Sequence, residues 1–144
     1  MGILVNDFSK ERENNIGKGL GGEMITDLGK FLRKIRIDEG EILMDMANKL
    51  GVTASFLSAV ENGKKHMPSA WNKKICDLYK LSDEQKDQFT SAIAETEETI
   101  EVDFSNSSLK NKELAVSFAR KFSDIDEIQV EKIRKILNGG KEKK

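Results

Sequence analysis

The sequence predicts an all-α fold, a five-helix domain followed by a C-terminal helical pair, and three observations support this prediction. Apolar residues recur at helical spacing through most of the chain. The 144 residues include a single proline, which favours helices over turn-rich sheet. Capping and glycine signals separate the periodic segments, as expected where one helix ends and the next begins.

The first 23 residues differ from the rest, because they contain a glycine-rich run and show no apolar period. Residues 1–23 are therefore predicted to form a flexible N-terminal arm or leader. The run Gly21-Gly22-Glu23 stands immediately before Met24, and its codons can spell a purine-rich ribosome-binding sequence. This order gives the hypothesis that Met24 is the natural start in bacteria.

Two apolar stripes at helical spacing follow Met24. The first predicts a helix that ends near Gly40 and the second a helix that ends near Gly51, because glycine often ends a helix in the left-handed conformation. Both stripes have the spacing i, i+3, i+4 and i+7, with Leu28, Phe31, Leu32 and Ile35 in the first and Leu43, Met46, Ala47 and Leu50 in the second.

A third helix is predicted after a short turn. Val52 of the turn can fill the core, and Thr53 is a good N-cap for the helix that follows. Leu57 and Val60 lie on one face of that helix, and the Asn-Gly pair at 62–63 ends it. Two short helices joined by a glycine-containing turn form the unit that places a recognition helix in the DNA major groove.

This motif resembles the phage-repressor (Xre or Cro type) family of helix-turn-helix transcriptional regulators. The resemblance is carried by Leu50-Gly51-Val52-Thr53, then Leu57-Ser58, then Glu61-Asn62-Gly63-Lys64, and it covers roughly residues 25–81. It implies a lambda-repressor-like, five-helix DNA-binding domain over residues 24–98. It also implies binding to a double-stranded operator, usually as a dimer, and regulation of transcription.

The predicted recognition helix runs from Thr53 to Glu61, and its outward residues are small. Alanine offers only a methyl group to a thymine methyl group, and serine can bond to several bases. Modest base discrimination, or partial readout of DNA shape, is therefore expected. Family members often carry Thr-Gln where this chain has Ile42 and Leu43, so the phosphate contact made there is not carried over. The predicted DNA-binding residues are Thr53, Ala54, Ser55, Ser58, Ala59, Asn62, Lys64 and Lys65.

Basic residues flank the predicted recognition helix. Residues 64–66 (Lys-Lys-His) follow it, where basic side chains can meet phosphate, or can simply be part of a solvated loop. Arg33, Lys34 and Arg36 of the first helix are either further backbone contacts or ordinary exposed charge. Two alternatives concern how the protein binds its partners. Residues 1–23 could form an arm that reaches along DNA, or the helix-turn-helix could serve as a protein-binding scaffold instead of a DNA-binding unit.

The net charge of −1 hides an uneven distribution. Residues 24–80 hold ten basic and seven acidic residues, a net +3, whereas residues 81–106 hold one and eight, a net −7. A total near zero does not argue against DNA binding, because only basic charge close to the phosphates releases counterions. The acidic stretch is expected to face away from DNA or to contact a partner.

Two more helices are predicted to complete the first domain. The fourth begins at the Pro-Ser pair at 68–69, and the fifth begins with a capping box at residues 82–85 and fades near Glu97. Residues 99–104 alternate apolar and acidic residues, so they are either an extended segment or a strand at the domain boundary. The fourth helix is expected to offer Trp71, Ile75 and Leu78 to the core.

Residues 99–138 are predicted to form a C-terminal helical dimerisation element, followed by a basic tail at 139–144. The sixth helix is capped within 106–108 and runs to about Phe122, and Ser123 is expected to cap a seventh helix that begins at Asp124. Two helices of this size cannot bury their apolar faces alone. They form a homodimer with a second copy, or they complete a monomer core.

The composition predicts no enzyme, no cofactor and no metal site, because the chain has one His and one Cys and no phosphate-binding glycine motif. Cys76 alone cannot form an internal disulfide and is expected in the core. No apolar run approaches the length of a membrane span, so the expected location is cytoplasmic and nucleoid-associated.

Two functions are compatible with this sequence. The first is a bacterial or phage repressor that binds its operator as a dimer. The second is an antitoxin-like helix-turn-helix protein that binds a partner protein and autoregulates its operon. A stable complex with an unrelated protein would favour the second function, and a homodimer with high operator affinity would favour the first.

Overall fold

The computed structural model describes residues 24–139, and all regular secondary structure in this range is helical, as predicted. Residues 99–104 form no strand, so that alternative was wrong. The predicted arm or leader and the tail from residue 140 onward lie outside the described residues. The helices of the described range are α1 (Asp27–Glu39), α2 (Leu43–Leu50), α3 (Ala54–Glu61), α4 (Trp71–Leu78), α5 (Asp83–Thr96), α6 (Leu109–Lys121) and α7 (Glu127–Leu137), with a 3₁₀ turn at Phe122–Asp124.

The ends of the first three helices follow the local signals read from the sequence. Gly40 and Gly51 end α1 and α2 in the left-handed conformation, with φ of 70° and 74°. The hydroxyl of Thr53 accepts a hydrogen bond from the Phe56 N–H at 3.0 Å and so caps α3. The turn between α2 and α3 is therefore fixed by one glycine and one threonine.

The chain divides into two compact units, with the division between Glu101 and Val102. In the N-terminal unit α1 packs mainly against α5, and α3 packs against α1 and α2. Phe31 of α1 and Phe89 of α5 stack with ring centroids 5.0 Å apart. The buried apolar core consists of Leu28, Phe31, Leu32, Ile35, Met46, Ala47, Leu50, Leu57, Val60, Trp71, Ile75, Tyr79, Leu81, Phe89, Ala92 and Ile93.

Helix α4 differs from the prediction in its start and in its core register. It begins at Trp71 after a turn, and Leu78, predicted to be buried, is 39% exposed. Tyr79, the C-cap residue that follows the helix, is buried in its place, and its hydroxyl donates to a carboxylate oxygen of Glu41 at 2.7 Å. Cys76 is only partly buried against the core, and burial raises the pKa of its thiol.

The last helix begins later than predicted. Asp126, and not Ser123, is its N-cap, and the helix starts at Glu127. The carboxylate of Asp126 accepts from the Gln129 N–H at 2.8 Å, while the Gln129 side-chain oxygen accepts from the Asp126 N–H at 3.1 Å. This reciprocal capping box outcompetes the single serine, which lies within the 3₁₀ turn.

The C-terminal unit contains α6 and α7, and neither helix has a buried residue. Ser108 caps α6 by accepting from the Asn111 N–H at 3.1 Å, as the sequence predicted for the segment 106–108. Phe118 and Phe122 make an edge-to-face contact with ring centroids 5.5 Å apart. Both rings are nevertheless substantially exposed.

Candidate nucleic-acid interface

Helix α3 is held from its inner side by the core. Leu57 and Val60 are both fully buried, as their spacing predicted. Phe56 is partly buried and meets the ring of Trp71 edge-on, with centroids 6.0 Å apart. The inner face of α3 is thus fixed on α1, α2 and α4, and its opposite face can act as a rigid surface.

A buried ion pair fixes the C-terminal end of α3 to α1. Arg36 and Glu61 are 5% and 2% exposed, and the Nη1 and Nη2 atoms of Arg36 donate to different carboxylate oxygens of Glu61. The Nη2 to Oε1 distance is 3.2 Å. Arg36 was expected to be exposed or at the DNA backbone, and that expectation was wrong. The missed signal is its position four residues after Leu32, on the buried face of α1.

A close backbone approach reinforces the same junction. The carbonyl oxygen of Glu61 accepts from the Thr26 N–H at 3.0 Å and from the Thr26 hydroxyl at 2.9 Å. A Cβ atom on Gly29 would lie 2.3 Å from that carbonyl oxygen, so only glycine fits at this crossing. The N-terminal end of α1 and the C-terminal end of α3 are therefore in backbone contact.

The outward face of α3 borders a shallow open concavity of about 350 Å³. Ser55, Ser58 and Ala59 stand at i, i+3 and i+4, so they share one face of the helix. Leu43 at the start of α2 forms part of the wall, although the sequence suggested only a core role for it. We call this surface the α3 concavity; its lining residues are Leu43, Ala54, Ser55, Ser58, Ala59, Asn62 and Lys64.

Two of the predicted DNA-binding residues also complete helix ends. The hydroxyl of Thr53 is the N-cap acceptor of α3. Asn62 is the C-cap, is 5% exposed, and donates from its side-chain amide to the Ser58 carbonyl oxygen at 3.0 Å. The side chains of α3 that face the concavity from between these two caps are Ala54, Ser55, Ser58 and Ala59.

Lys64 and Lys65 lie at the end of α3 with exposed side chains. Their backbone N–H groups both donate to the Ala59 carbonyl oxygen, at 2.8 and 3.2 Å. Gly63 makes this wrap possible with φ of 77°. Within residues 24–139 neither ammonium group is in an ion pair with a carboxylate, so both are available to phosphate.

His66 is directed toward α5. Its Nδ1 lies 3.0 Å from a carboxylate oxygen of Glu97, whose side chain is 8% exposed. The Met67 N–H donates to the other oxygen of the same carboxylate at 3.4 Å. These contacts tie the loop after α3 to the end of α5, beside a pocket of about 260 Å³.

A polar cluster formed by Glu41 before α2, Lys49 within α2 and Tyr79 at the end of α4 was not found from the sequence. Glu41 accepts a hydrogen bond from the Tyr79 hydroxyl at 2.7 Å and also pairs with Lys49, whose Nζ lies 4.9 Å from the Tyr79 ring centroid. Burial raises the pKa of Glu41, but the hydrogen bonds from Lys49 and Tyr79 together lower it below its ordinary value. Burial and the Glu41 carboxylate raise the pKa of Tyr79. No pattern in the sequence brings residues 41 and 79 together.

Two further observations concern chemistry and membranes. Among residues 24–139, no group of three or more His, Cys, Asp or Glu side chains is arranged to hold a metal ion. In the same range no helix has both the length and the apolar character needed to cross a bilayer.

The α2–turn–α3 geometry defines a helix-turn-helix unit, with α3 as the outward-facing second helix. Residues 27–89 match the model of the family described as a helix-turn-helix domain. The match runs from the first residue of α1 into α5, so it includes the whole unit, α1, α4 and the first half of α5. No curated protein and no solved structure matches the chain. The prediction of a helix-turn-helix domain is confirmed at this level.

Proposed function

We propose that this protein is a sequence-specific, double-stranded DNA-binding transcriptional regulator that inserts α3 into the major groove. One observation carries the proposal: the inner face of α3 is packed on the core, and its exposed outer face is followed by two exposed lysines. A rigid helix with a small outward face can approach base edges, while Lys64 and Lys65 neutralise phosphates beside the groove. The proposed contacts are those of Thr53, Ala54, Ser55, Ser58, Ala59, Asn62, Lys64 and Lys65.

The arrangement of α1 to α5 as a lambda-repressor-like domain of the Xre or Cro type is part of the same proposal. It is supported by the length of the helices, by the short α2–α3 turn, and by the family match over residues 27–89. The small N-terminal unit that holds the motif suits a bacterial or phage repressor that acts in the nucleoid by covering its operator.

Dimerisation through the C-terminal unit is proposed next. The helices α6 and α7 carry apolar side chains that are largely exposed, such as Leu114 at 68% and Ile136 at 74%. Apolar surface of this kind is stabilised when a partner covers it. A second copy is the simplest partner, because a twofold dimer engages two related half-sites of duplex DNA together.

An antitoxin-like role is the second candidate. The same exposed apolar side chains favour it, because an unrelated partner protein can cover α6 and α7 as well as a second copy can. The acidic segment 81–106 offers a further contact surface for a basic partner. In this role the protein would mask its partner and also bind the operator of its own operon.

Titration into a fluorescent duplex of its own upstream DNA, compared with scrambled DNA at two salt concentrations, tests the proposal. Tight, selective and salt-sensitive binding is the expected result, because a regulator of this kind combines base contacts with phosphate contacts. Equal and weak binding to both duplexes would contradict it. A stable complex recovered with an unrelated protein from the native host, in place of a homodimer, would favour the antitoxin-like role.

A further inference from the structure

The residues that line the α3 concavity carry methyl groups where a DNA-reading surface often carries long polar side chains. Resting on the proposed function, we infer that this concavity reads thymine, with Leu43, Ala54 and Ala59 receiving the C5 methyl group of thymine in the major groove. The C5 methyl group is the only methyl group that an unmodified base pair presents there.

The methyl-bearing side chains are held in place by the fold. Leu43 and Ala54 are partly buried and pack against the core, while Ala59 lies in the last full turn of α3. All three line the same concavity. Because these side chains have little freedom to lose, a thymine methyl group that enters the concavity gains contact at small entropic cost.

The polar alternatives for base reading are absent from α3. Recognition of guanine or adenine by a bidentate contact needs an Arg, Lys, Asn or Gln side chain at an outward position. The only charged side chain in α3 is Glu61, which is buried against Arg36. The amide at the end of the helix, Asn62, is also buried and donates to Ser58.

The serines and lysines of the surface complement the methyl groups without replacing them. Ser55 and Ser58 each offer one hydroxyl, which bonds to several bases and so discriminates little. Lys64 lies at the rim, beyond the helix, where it suits phosphate. Among the described groups of this surface, the methyl groups are therefore the ones whose contact depends most on base identity.

Selection of a preferred duplex, followed by removal of single methyl groups from its thymines, tests this inference. The full-length protein first enriches its preferred duplex from a randomised pool. Each thymine of that duplex is then replaced singly by deoxyuridine, which lacks the C5 methyl group and keeps every hydrogen-bonding group. At one or two positions per half-site we expect about fourfold weaker binding, which corresponds to about 0.8 kcal/mol for one buried methyl group.

Protein variants assign the effect to the concavity. In Ala59→Gly or Leu43→Ala, deoxyuridine at a sensitive position should weaken binding by clearly less than fourfold, because part of the contact with the methyl group is already lost. Ala94→Gly is the matched control: it makes the same change at an exposed position of α5 and should keep the full fourfold effect. Trp71 fluorescence verifies that each variant is folded, and Ala59→Ser replaces Ala59→Gly if the glycine variant is not.

The outcomes separate this inference from the proposed function. An enriched duplex in which every deoxyuridine substitution is neutral would overturn thymine reading and leave sequence-selective DNA binding intact. A deoxyuridine effect that stays undiminished in both concavity variants would likewise overturn the assignment. Failure to enrich any sequence, with equal weak binding throughout, would overturn the proposed function and this inference with it.

Discussion

The two units of the chain use the same kind of amphipathic helix with opposite results. In the N-terminal unit the apolar stripes are closed off from solvent, and Leu28, Leu32 and Met46 have no exposed surface. In the C-terminal unit the corresponding side chains are open, and Leu137 is 78% exposed. Both units nevertheless contain helices that begin with a side-chain N-cap.

The difference teaches that helix formation and burial are separate properties. Spacing and caps are local, so they form α6 and α7 as readily as α1. Burial needs other elements to pack against, and five helices supply them in the first unit. The first unit thus supports a rigid surface, whereas the second exposes apolar surface that suits assembly.

The largest effect is expected from breaking the buried ion pair of the first unit. Glu61→Ala should lower the free energy of unfolding by about 3–5 kcal/mol, because it leaves the Arg36 guanidinium buried without its partner. Denaturant unfolding followed by Trp71 fluorescence measures this, since the only Trp of the chain is buried in the N-terminal unit.

An exposed ion pair provides the control for that experiment. Lys73 and Asp77 pair at 2.8 Å, with side chains that are 87% and 64% exposed. Asp77→Ala should cost far less than Glu61→Ala, because solvent screens such pairs. Equal losses in Glu61→Ala and Asp77→Ala would contradict the importance of the buried pair.

The helix crossing at Gly29 should give the next largest effect. Gly29→Ala should destabilise the N-terminal unit by about 1–3 kcal/mol, because the new Cβ would meet the Glu61 carbonyl oxygen. The same unfolding measurement applies, with the exposed position Lys30→Ala as the control in the same helix. A stabilising Gly29→Ala would mean that α1 and α3 can separate at this point without cost.

Neutralising the lysines after α3 tests which unit contacts DNA. The double variant Lys64→Ala and Lys65→Ala should weaken binding to all sequences and reduce the slope of log affinity against log salt by about two, because two phosphate contacts are lost. Titrations at several salt concentrations measure the slope. Lys110→Ala with Lys112→Ala removes the same charge from α6 and should leave it unchanged; an equal reduction would place DNA contacts in both units.

Charges placed on the C-terminal unit should break the dimer without changing the fold of the N-terminal unit. Phe118→Asp with Phe122→Asp should shift the molar mass in light scattering from dimer to monomer, because the apolar surface is lost. The Trp71 unfolding transition should move by no more than about 0.5 kcal/mol. Ser117→Asp adds charge at an exposed position of the same helix and serves as the control. A mass that stays that of a dimer would contradict dimerisation through α6 and α7.

The smallest effect is expected from Glu41. Because its pKa is lowered in the folded protein, its contribution to stability is present above the ordinary value of 4.5 and is lost as pH falls through the lowered value. Glu41→Gln should therefore reduce the acid-induced loss of stability of the N-terminal unit by less than about 1 kcal/mol. Unfolding across acidic pH measures it, and Glu113→Gln in α6 should leave the Trp71 transition unchanged.

Most of the first unit could be predicted from local patterns. The stripes of α1, α2 and α3, the glycines at 40 and 51, and the Thr53 cap were confirmed, because each depends on residues within one or two helical turns. The register of α4 was wrong because Leu78 and Tyr79 are both apolar enough to be buried. Only the position of Glu41, which accepts from the Tyr79 hydroxyl, favours the tyrosine.

The sequence predicted which helix forms the candidate site, but it did not predict the shape of the concavity beside that helix. The outward positions of α3 follow from its period, and the contacts proposed for them remain predictions. The place of Leu43 in the wall of the α3 concavity could not be predicted from the sequence, because it depends on how α2 crosses α3. The start of α7 was missed because Ser123 and Asp126 are both good caps, and only the reciprocal bonds with Gln129 favour the aspartate.

By itself the sequence determined the all-α class, the helix-turn-helix motif and most helix ends, because these depend on interactions between residues close in the chain. The tertiary structure alone decided that Arg36 and Glu61 are buried as a pair, that Gly29 meets α3, and which apolar stripes are covered. The first two of these features join residues 25 and 35 positions apart. Pattern rules act within a few helical turns, so only packing brings such residues together.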